Sequence, residues 1–311
     1  MIRNVTITVS AAEEGERLDR LICRAFPATR RSFVREALAA GDILCNRRPA
    51  AKGARVRAGD IVWIHQLLEI GDPWAELESA VPLRVLAETP AWVAVEKPCG
   101  IPVQPLHVGE RGTLAGVLAA RFPECLRVGE THTGMGGIVH RLDTATSGVL
   151  LVARTDTAWR SLRQQFRRHQ VCKRYIAIVE GRVVAAGCIR KPLAHDPRRR
   201  GRMIVAEDRE APGADRLYPA ETAYAPVAFG PRRTWLEVTM HSGVTHQIRA
   251  HLAFAGFPIV GDTLYGRAHV DPPERLALHA AEIAFADPDT GAPCRVVSPA
   301  PSEFDTLLAA P

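Results

Sequence analysis

Lysine is nearly missing from this chain of 311 residues, where it occupies only positions 52, 97, 173 and 191. Forty basic residues against 34 acidic ones leave +6, so arginine carries almost all the positive charge. Its planar fork clamps phosphates and stacks on bases in ways an ammonium does not, although a codon bias in an Ala-rich chain would leave the same imprint. Long apolar runs are absent too: nothing reaches membrane-spanning length. The start, "MIRNVTITVSAAEEGERLDR", has no apolar stretch of signal-peptide type. Cys23, Cys45, Cys99, Cys125, Cys172, Cys188 and Cys294 are odd in number and never spaced C-x-x-C. That argues against a disulfide framework or a zinc site. There is no internal repeat. These absences lead us to expect a soluble cytoplasmic protein with reduced thiols, no metal and no membrane partner.

The charge that is present is unevenly spread. Between Glu16 and His65 stand eleven cations against five acids, so this segment alone accounts for the net +6 and the remainder is near neutral. "NVTITVS" reads as a short strand. "GERLDRLICRAF" reads as a helix with Leu18, Leu21, Ile22 and Ala25 on one stripe, stopped by Pro27. A second helix from about Thr29 turns Phe33, Ala37 and Leu38 inward, sets Arg31 and Arg35 one turn apart, and ends at Gly41. "DILCNRRP" and "DIVWIH" follow as strands around a basic turn. The order and the stretches "RLDRLI", "SFVREALAAGDILCN" and "VRAGDIVWI" resemble the small S4-type RNA-binding module over residues 16–65. Its candidate RNA contacts are Arg30, Arg31, Arg35, Arg47, Arg48 and Lys52. A basic domain that binds an acidic protein is the competing reading.

Residues 66–82 mix acids, Pro and Gly without periodicity and read as a linker. This gives residues 1–65 as the strand and module, and residues 83–311 as a second domain. In the latter, "WVAVEKPCGIPVQP" is a strand entering a turn, and "GGIVHRLD" and "SGVLLVAR" are strands around a short loop. "TDTAWRSLRQQFRRHQ" is a helix capped near Thr155 or Asp156, with Trp159, Leu162 and Phe166 inward and Arg160, Arg163, Arg167 and Arg168 mostly outward. "KRYIAIVEG" and "TWLEVTM" are strands, and "THQIRAHLAFAG" is a helix from Thr245 to a Gly256 stop. Residues 195–222 read as a mobile excursion from the core. Without a repeated βαβ unit, the pattern predicts an α+β fold with a mainly antiparallel mixed sheet, preceded by the small α+β module.

Chemistry concentrates around Asp143. If "IVHRLD" is a strand, Arg141 and Asp143 share a face and His140 points away as a structural histidine. The hydroxyls of Thr144, Thr146 and Ser147 stand beside the acid. A half-buried carboxylate that acts at neutral pH needs a nearby cation; pairing with Arg141 in a capped turn is the bland alternative. In "THQIRAHL", Arg249 lies on one face with His246, while His251 points elsewhere and makes a two-histidine metal site a poor fit. Tyr175 offers a ring to stack and a phenol to exchange a proton. "GFPIVGDTLYG", with Asp262 and Tyr265, reads as an ordinary tight turn.

"GGIVHRLDTATSGVLLVAR", "KRYIAIVEG", "SGVTHQIRAHLAFAGFPIVGDTLYG" and "ALHAAEIAFADPDTG", in that order, resemble the RluA-type family of pseudouridine synthases, and with the N-terminal module the resemblance spans nearly the whole chain. It implies isomerisation of uridine in RNA without cofactor or metal. Asp143 takes the place of the catalytic aspartate, Tyr175 that of the stacking tyrosine and Arg249 that of the basic partner of the aspartate. Arg141, Thr144, His246 and Gln247 are candidate substrate contacts, with Arg141 filling the stack left by a flipped uridine. Covalent and eliminative routes stay open. The sequence departs from the family at Val244, where a basic residue is usual, and at Ala286 and Asp287, where Pro-His is common. Large-subunit ribosomal RNA is the first expected substrate and transfer RNA the second, acted on by a monomer. A catalytically dead RNA-binding protein and an N-glycosidase releasing free base are the competing functions.

Overall fold

A computed structural model describes residues 1–51, 53–69, 81–106, 110–129, 136–206, 216–266 and 275–310. They fall into two compact units. The first contains β1 (Ile2–Thr8), α1 (Leu18–Ala25), α2 (Arg31–Ala40), β2 (Ile43–Cys45), β3 (Arg48–Pro49) and β4 (Ile61–Leu67), with sheet order β1-β4-β2-β3. Helix α1 forms because Leu18, Leu21 and Ile22 recur at helical spacing and are buried. Ala25, expected on that stripe, is exposed in the last turn. Helix α2 buries Phe33, Val34 and Ala37. It stops at Gly41, whose φ of 81° is the left-handed cap that glycine adopts without strain. Leu67 and Leu68 are buried as well, so the unit continues into the stretch read as a linker. Residues 70–80 of that stretch lie outside the described residues.

The second unit begins with β5 (Arg84–Glu88), β6 (Trp92–Lys97), α3 (Leu114–Arg121), β7 (Ser147–Ala153), α4 (Asp156–Arg167) and β8 (Cys172–Glu180). It continues with β9 (Gly187–Ile189), β10 (Leu193–His195), β11 (Met203–Val205), β12 (Leu217–Tyr218), β13 (Thr222–Phe229) and β14 (Arg233–Met240). Helix α5 (Gln247–Phe254), β15 (Leu278–Ala286), β16 (Pro293–Val297) and α6 (Glu303–Ala309) complete it. The main sheet runs β5-β6-β7-β15-β8-β14-β13-β9, with β16 also on β15. Every pair among the described strands is antiparallel except β7 with β15. This is the α+β, mixed-sheet architecture that the sequence pattern predicts.

The central strands are buried on both faces, which is why they read as unbroken apolar runs. On β7, Leu150 and Val152 enter one cluster with Val93, Val95, Leu118 and Leu236. Val149, Leu151 and Ala153 enter the other, with Ala158 and Leu162 of α4. Each such Leu or Val contributes roughly 1.5–3 kcal/mol by burial, so the strand that leads away from Asp143 is among the firmest parts of the unit.

Three expectations need correction. "GGIVHRLD" is not a strand: Ile138 makes one isolated bridge to Val152, and the rest is irregular. Gly137 approaches β7 so closely that a Cβ there would fall 2.1 Å from the Ala153 carbonyl oxygen, and its own carbonyl accepts the Ala153 N–H at 2.8 Å. The Leu151 N–H is instead taken by the ring of His140, at 2.9 Å. Residues 195–222 are not simply an excursion from the core. Strands β11-β10-β12 form a small sheet in which Leu193 and Met203 pack on Ala250 of α5; residues 207–215 lie outside the described residues. Finally, α5 starts at Gln247, because His246 takes the left-handed conformation, φ 53°, at its N-cap.

Candidate active site

The loop between Leu142 and β7 presents Asp143, and its backbone is held from several sides. Thr146 N–H donates to the Asp143 carbonyl at 3.0 Å and Gly100 N–H to the Thr144 carbonyl at 2.9 Å. Below it lies Lys97, with no exposed surface. Its ammonium donates to the carbonyls of Pro98 (2.8 Å), Ile101 (2.7 Å) and Thr144 (3.0 Å). Burial pushes Lys97 down to about 8. One of the chain's few lysines therefore serves as a buried pin under the acid's loop.

Helix α5 supplies the cation, and the turn after it supplies an acid that orients that cation. Arg249 Nη1 donates to Asp143 Oδ2 at 3.2 Å. The same guanidinium donates twice to Asp262, from Nε at 2.8 Å and Nη2 at 2.9 Å. Asp262 also accepts the N–H groups of Leu264 (2.9 Å) and Tyr265 (3.0 Å). Burial would raise the Asp262 carboxyl, but the hydrogen bonds and charge of Arg249 outweigh it and hold it below the usual carboxylate range. Arg249 likewise stays firmly cationic: burial opposes its charge, and Asp262 and then Asp143 overcome that. No described protein group hydrogen-bonds Asp143 Oδ1.

His246 stands across from Arg249, with Nε2 3.9 Å from Asp143 Oδ2. Its Nδ1 lies 3.1 Å from Tyr265 Oη, which accepts the Met203 N–H and is free to donate to the ring. Burial, reinforced by Arg249 and opposed by Asp143, lowers the imidazole below its usual value. A neutral ring with its proton on Nε2, toward the acid, satisfies these contacts. Tyr175, on β8, is buried. Burial, and then the charge of Asp143, pushes its phenol well above the usual range, so it stays protonated.

Asp143, Tyr175, His246 and Arg249 line one cavity of about 810 Å³, a size suited to a small ligand. Its wall includes Arg141, Thr144, Arg163, Arg167, Lys173 and His241, and Asp143 is the one acid among the described lining residues. Lys173 donates to the Ser242 carbonyl, and burial brings it down to about 8. Arg141 and Thr144 are exposed at the mouth. His140 lies on the same wall; it stacks on Phe166 at 4.8 Å, and burial, then Lys173, pushes it down to about 3. Gln247 is different. Its carbonyl accepts from Ser242 Oγ and Val244 N–H, and its amide donates to the Glu221 carbonyl and Thr222 Oγ1. With its hydrogen-bonding capacity used inside the protein, it shapes the Val244 loop and has none left for a substrate. His251 does point elsewhere, to Thr222 Oγ1 (2.8 Å) and the Lys191 carbonyl (2.9 Å).

In the N-terminal unit, Arg35, Arg47 and Arg48 are exposed, and Arg47 lies over the Trp63 ring at 5.9 Å. Arg30 is half-buried at the N-cap of α2. Arg31 is committed to Asp19 at 2.8 Å, and Lys52 lies outside the described residues.

Sequence reasoning missed Asp262, Lys97 and Tyr265. The Gly-Asp-Thr turn signals a local cap, which Asp262 is, but its two bonds to Arg249 come from the fold. The scarcity of lysine was the one available hint for Lys97.

Two family models match the chain. The RNA pseudouridylate synthase model covers residues 91–254 and the S4 domain model covers residues 16–62. The chain belongs to the RNA pseudouridylate synthase family, in its RluA-type branch. Among its relatives, "Ribosomal large subunit pseudouridine synthase D" of Xanthomonas campestris is 34% identical over 323 residues, covering 99% of this chain and 92% of that protein. "Uncharacterized RNA pseudouridine synthase" of Chloroflexus aurantiacus is 35% identical, covering 97% and 92%. The solved structure of "Human RNA Pseudouridylate Synthase Domain Containing 1" matches with a TM-score of 0.58 at 25% identity, covering 72% of this chain and 86% of its own. Among the described residues no helix is long and apolar enough to cross a membrane.

Proposed function

We propose that this RNA pseudouridine synthase isomerises uridines in large-subunit ribosomal RNA, with residues 83–311 catalysing and residues 1–65 gripping the RNA. The relatives' names support that substrate. The observation that carries the assignment of the site is Asp143, the single described acid of the cavity, oriented through one oxygen by Arg249 and open at the other.

A uridine stacked in RNA hides its glycosidic bond, so it leaves the stack at a cost of roughly a few kcal/mol. Arg141, exposed at the mouth, fills the gap. In the cavity Asp143 Oδ1 faces the sugar and base; it attacks the nucleoside or takes the 2′ proton, and the bond from the base's ring nitrogen to C1′ of the sugar breaks. The base turns and its carbon five bonds to C1′ as the bond to Asp143 breaks or the 2′ proton returns, after which the carbon-five proton leaves to solvent and the freed ring nitrogen takes one up. Tyr175 stacks on the loosened base. With its phenol held protonated by burial, Tyr175 acts through its ring rather than as a proton acceptor. His246 and Thr144 line the path, and neither a metal nor a cofactor is invoked. Val244 withholds a cation at the rim and reduces grip on the RNA without touching the Asp143–Arg249 contact.

The test is a map of pseudouridines across total ribosomal and transfer RNA from cells with the intact gene, without it, and with Asp143→Asn. Sites lost in both altered strains establish the activity at Asp143 and name the RNA. The Asp143→Asn substitution costs about a thousandfold or more in turnover, with RNA binding retained. Substantial turnover by this variant would rule out the assignment.

A further inference from the structure

Behind the cavity wall lies a polar chain that the chemistry above does not use. Ser147, the first residue of β7, is buried and four residues from Asp143. Its hydroxyl receives Arg275 Nη2 at 2.6 Å and lies 2.8 Å from His279 Nδ1. Arginine only donates, so the serine proton goes to His279, whose remaining proton sits on Nε2, toward the Ser298 carbonyl at 3.4 Å. His279 has no exposed surface and pairs with Ser147 in the one parallel ladder among the described strands.

Arg275 is fixed on its other sides. Nη1 pairs with Glu303 of α6 at 2.8 Å, and the guanidinium lies over the Phe304 ring at 5.3 Å. Its main chain also matters, because a Cβ on Gly261 would fall 2.2 Å from the Arg275 carbonyl oxygen. Gly261, with φ 78°, immediately precedes Asp262. Next to it, Ala277 N–H donates to the Val260 carbonyl at 2.9 Å. Arg275 therefore touches both loops at the ends of the Asp143–Arg249–Asp262 chain: its side chain reaches the Asp143 loop through Ser147, and its backbone lies against the Asp262 turn.

We infer that Arg275 is a positioning residue for the isomerisation, setting the distance between Asp143 and Asp262, with Glu303 of α6 orienting its guanidinium. None of Arg275, Ser147, His279 and Glu303 is among the described cavity-lining residues. Their effect reaches the reaction through loop placement, where a misplacement on the order of 1 Å costs up to about a hundredfold. The inference rests on Asp143 as the reacting acid.

The test uses the full chain on an RNA that the wild type modifies, comparing Arg275→Met, Arg275→Lys and Glu303→Gln. Met keeps the cover over Phe304 and removes the fork. Arg275→Met is expected to lower kcat by about tenfold or more with KM within about twofold, measured well below its Tm, and added guanidinium recovers part of the loss. Arg275→Lys recovers less, since a point charge cannot bridge Ser147 and Glu303 as a fork does. Glu303→Gln lowers kcat a few-fold, and carries the test alone if the Met variant fails to fold. Wild-type kcat in the folded variants overturns the inference. An inactive wild type, or an active Asp143→Asn, overturns instead the reading on which it rests.

Discussion

Each unit holds a buried aspartate facing arginine, and the two are wired in opposite ways. In the N-terminal unit Asp19, 4% exposed, takes Arg17 Nε on Oδ1 at 3.0 Å and Arg31 Nε on Oδ2 at 2.8 Å. Two cations serve one acid and both oxygens are occupied. The hydrogen bond from Arg17 leads in holding this carboxyl far below its usual range, against burial and with help from Arg31. In the second unit one cation serves two acids. Arg249 gives two bonds to Asp262, whose side chain has no exposed surface, and one to Asp143, which is 25% exposed. Where donors suffice, the acid is structural; where they run short at a cavity, an oxygen is left for a ligand.

The comparison breaks most visibly at Asp262. Asp262→Asn frees Arg249 to turn both forks to Asp143, saturating it. The expected cost is about a hundredfold in kcat and about 3–5 kcal/mol of stability for breaking a buried pair, read from turnover and a denaturant midpoint. A kcat within about tenfold of wild type would sink the contrast. Asp19→Asn should cost only about 1–3 kcal/mol, because Arg17 and Arg31 are 33% and 43% exposed and water replaces the lost partner. Its kcat should not move; the stability loss is read from the denaturant midpoint by Trp63 fluorescence in a background where the other four tryptophans are replaced by Phe.

A pH titration separates the units further. His140 drops from the usual 6.5 to about 3 in the folded chain because of burial. Between those values the unfolded chain binds the extra proton and the folded one does not, so stability falls with acidification by about 1.4 kcal/mol per pH unit. His140→Gln, which keeps an acceptor for Leu151 N–H, should flatten that dependence; an unchanged slope would place its origin elsewhere. The smallest effect is in salt. Arg48→Ala should reduce the slope of log affinity against log salt by about one. Arg31→Ala should change it less, since Arg31 already serves Asp19.

Most of this was legible in the sequence where a local period decides. Helices α1, α2 and α4 follow from apolar spacing, and Thr155 caps α4 through the Ala158 N–H as its position suggests. The Asp143–Arg249 contact entered through family resemblance and is present in the structure, although the strand assumed to carry Asp143 is not. That assumption failed because a histidine side chain, which no period reveals, replaces a backbone acceptor along β7. Asp262 was illegible for a related reason. A turn cap and a buried ion-pair partner look alike in sequence, and only the packing of α5 beside the turn distinguishes them. Gln247, beside Arg249, looked like a substrate contact because sequence proximity says nothing of where an amide finds its four bonds.

The parallel pairing of Ser147 with His279 has a consequence in time. Synthesis proceeds at roughly 5–20 residues per second. Arg249 follows Asp143 by 106 positions, so the acid waits on the order of 5–20 s for its cation. His279 comes 132 positions after Ser147. A nascent chain thus completes the S4-matching residues 16–62 first, while the Asp143–Arg249 contact and the Ser147–His279 pairing form only as the later strands emerge.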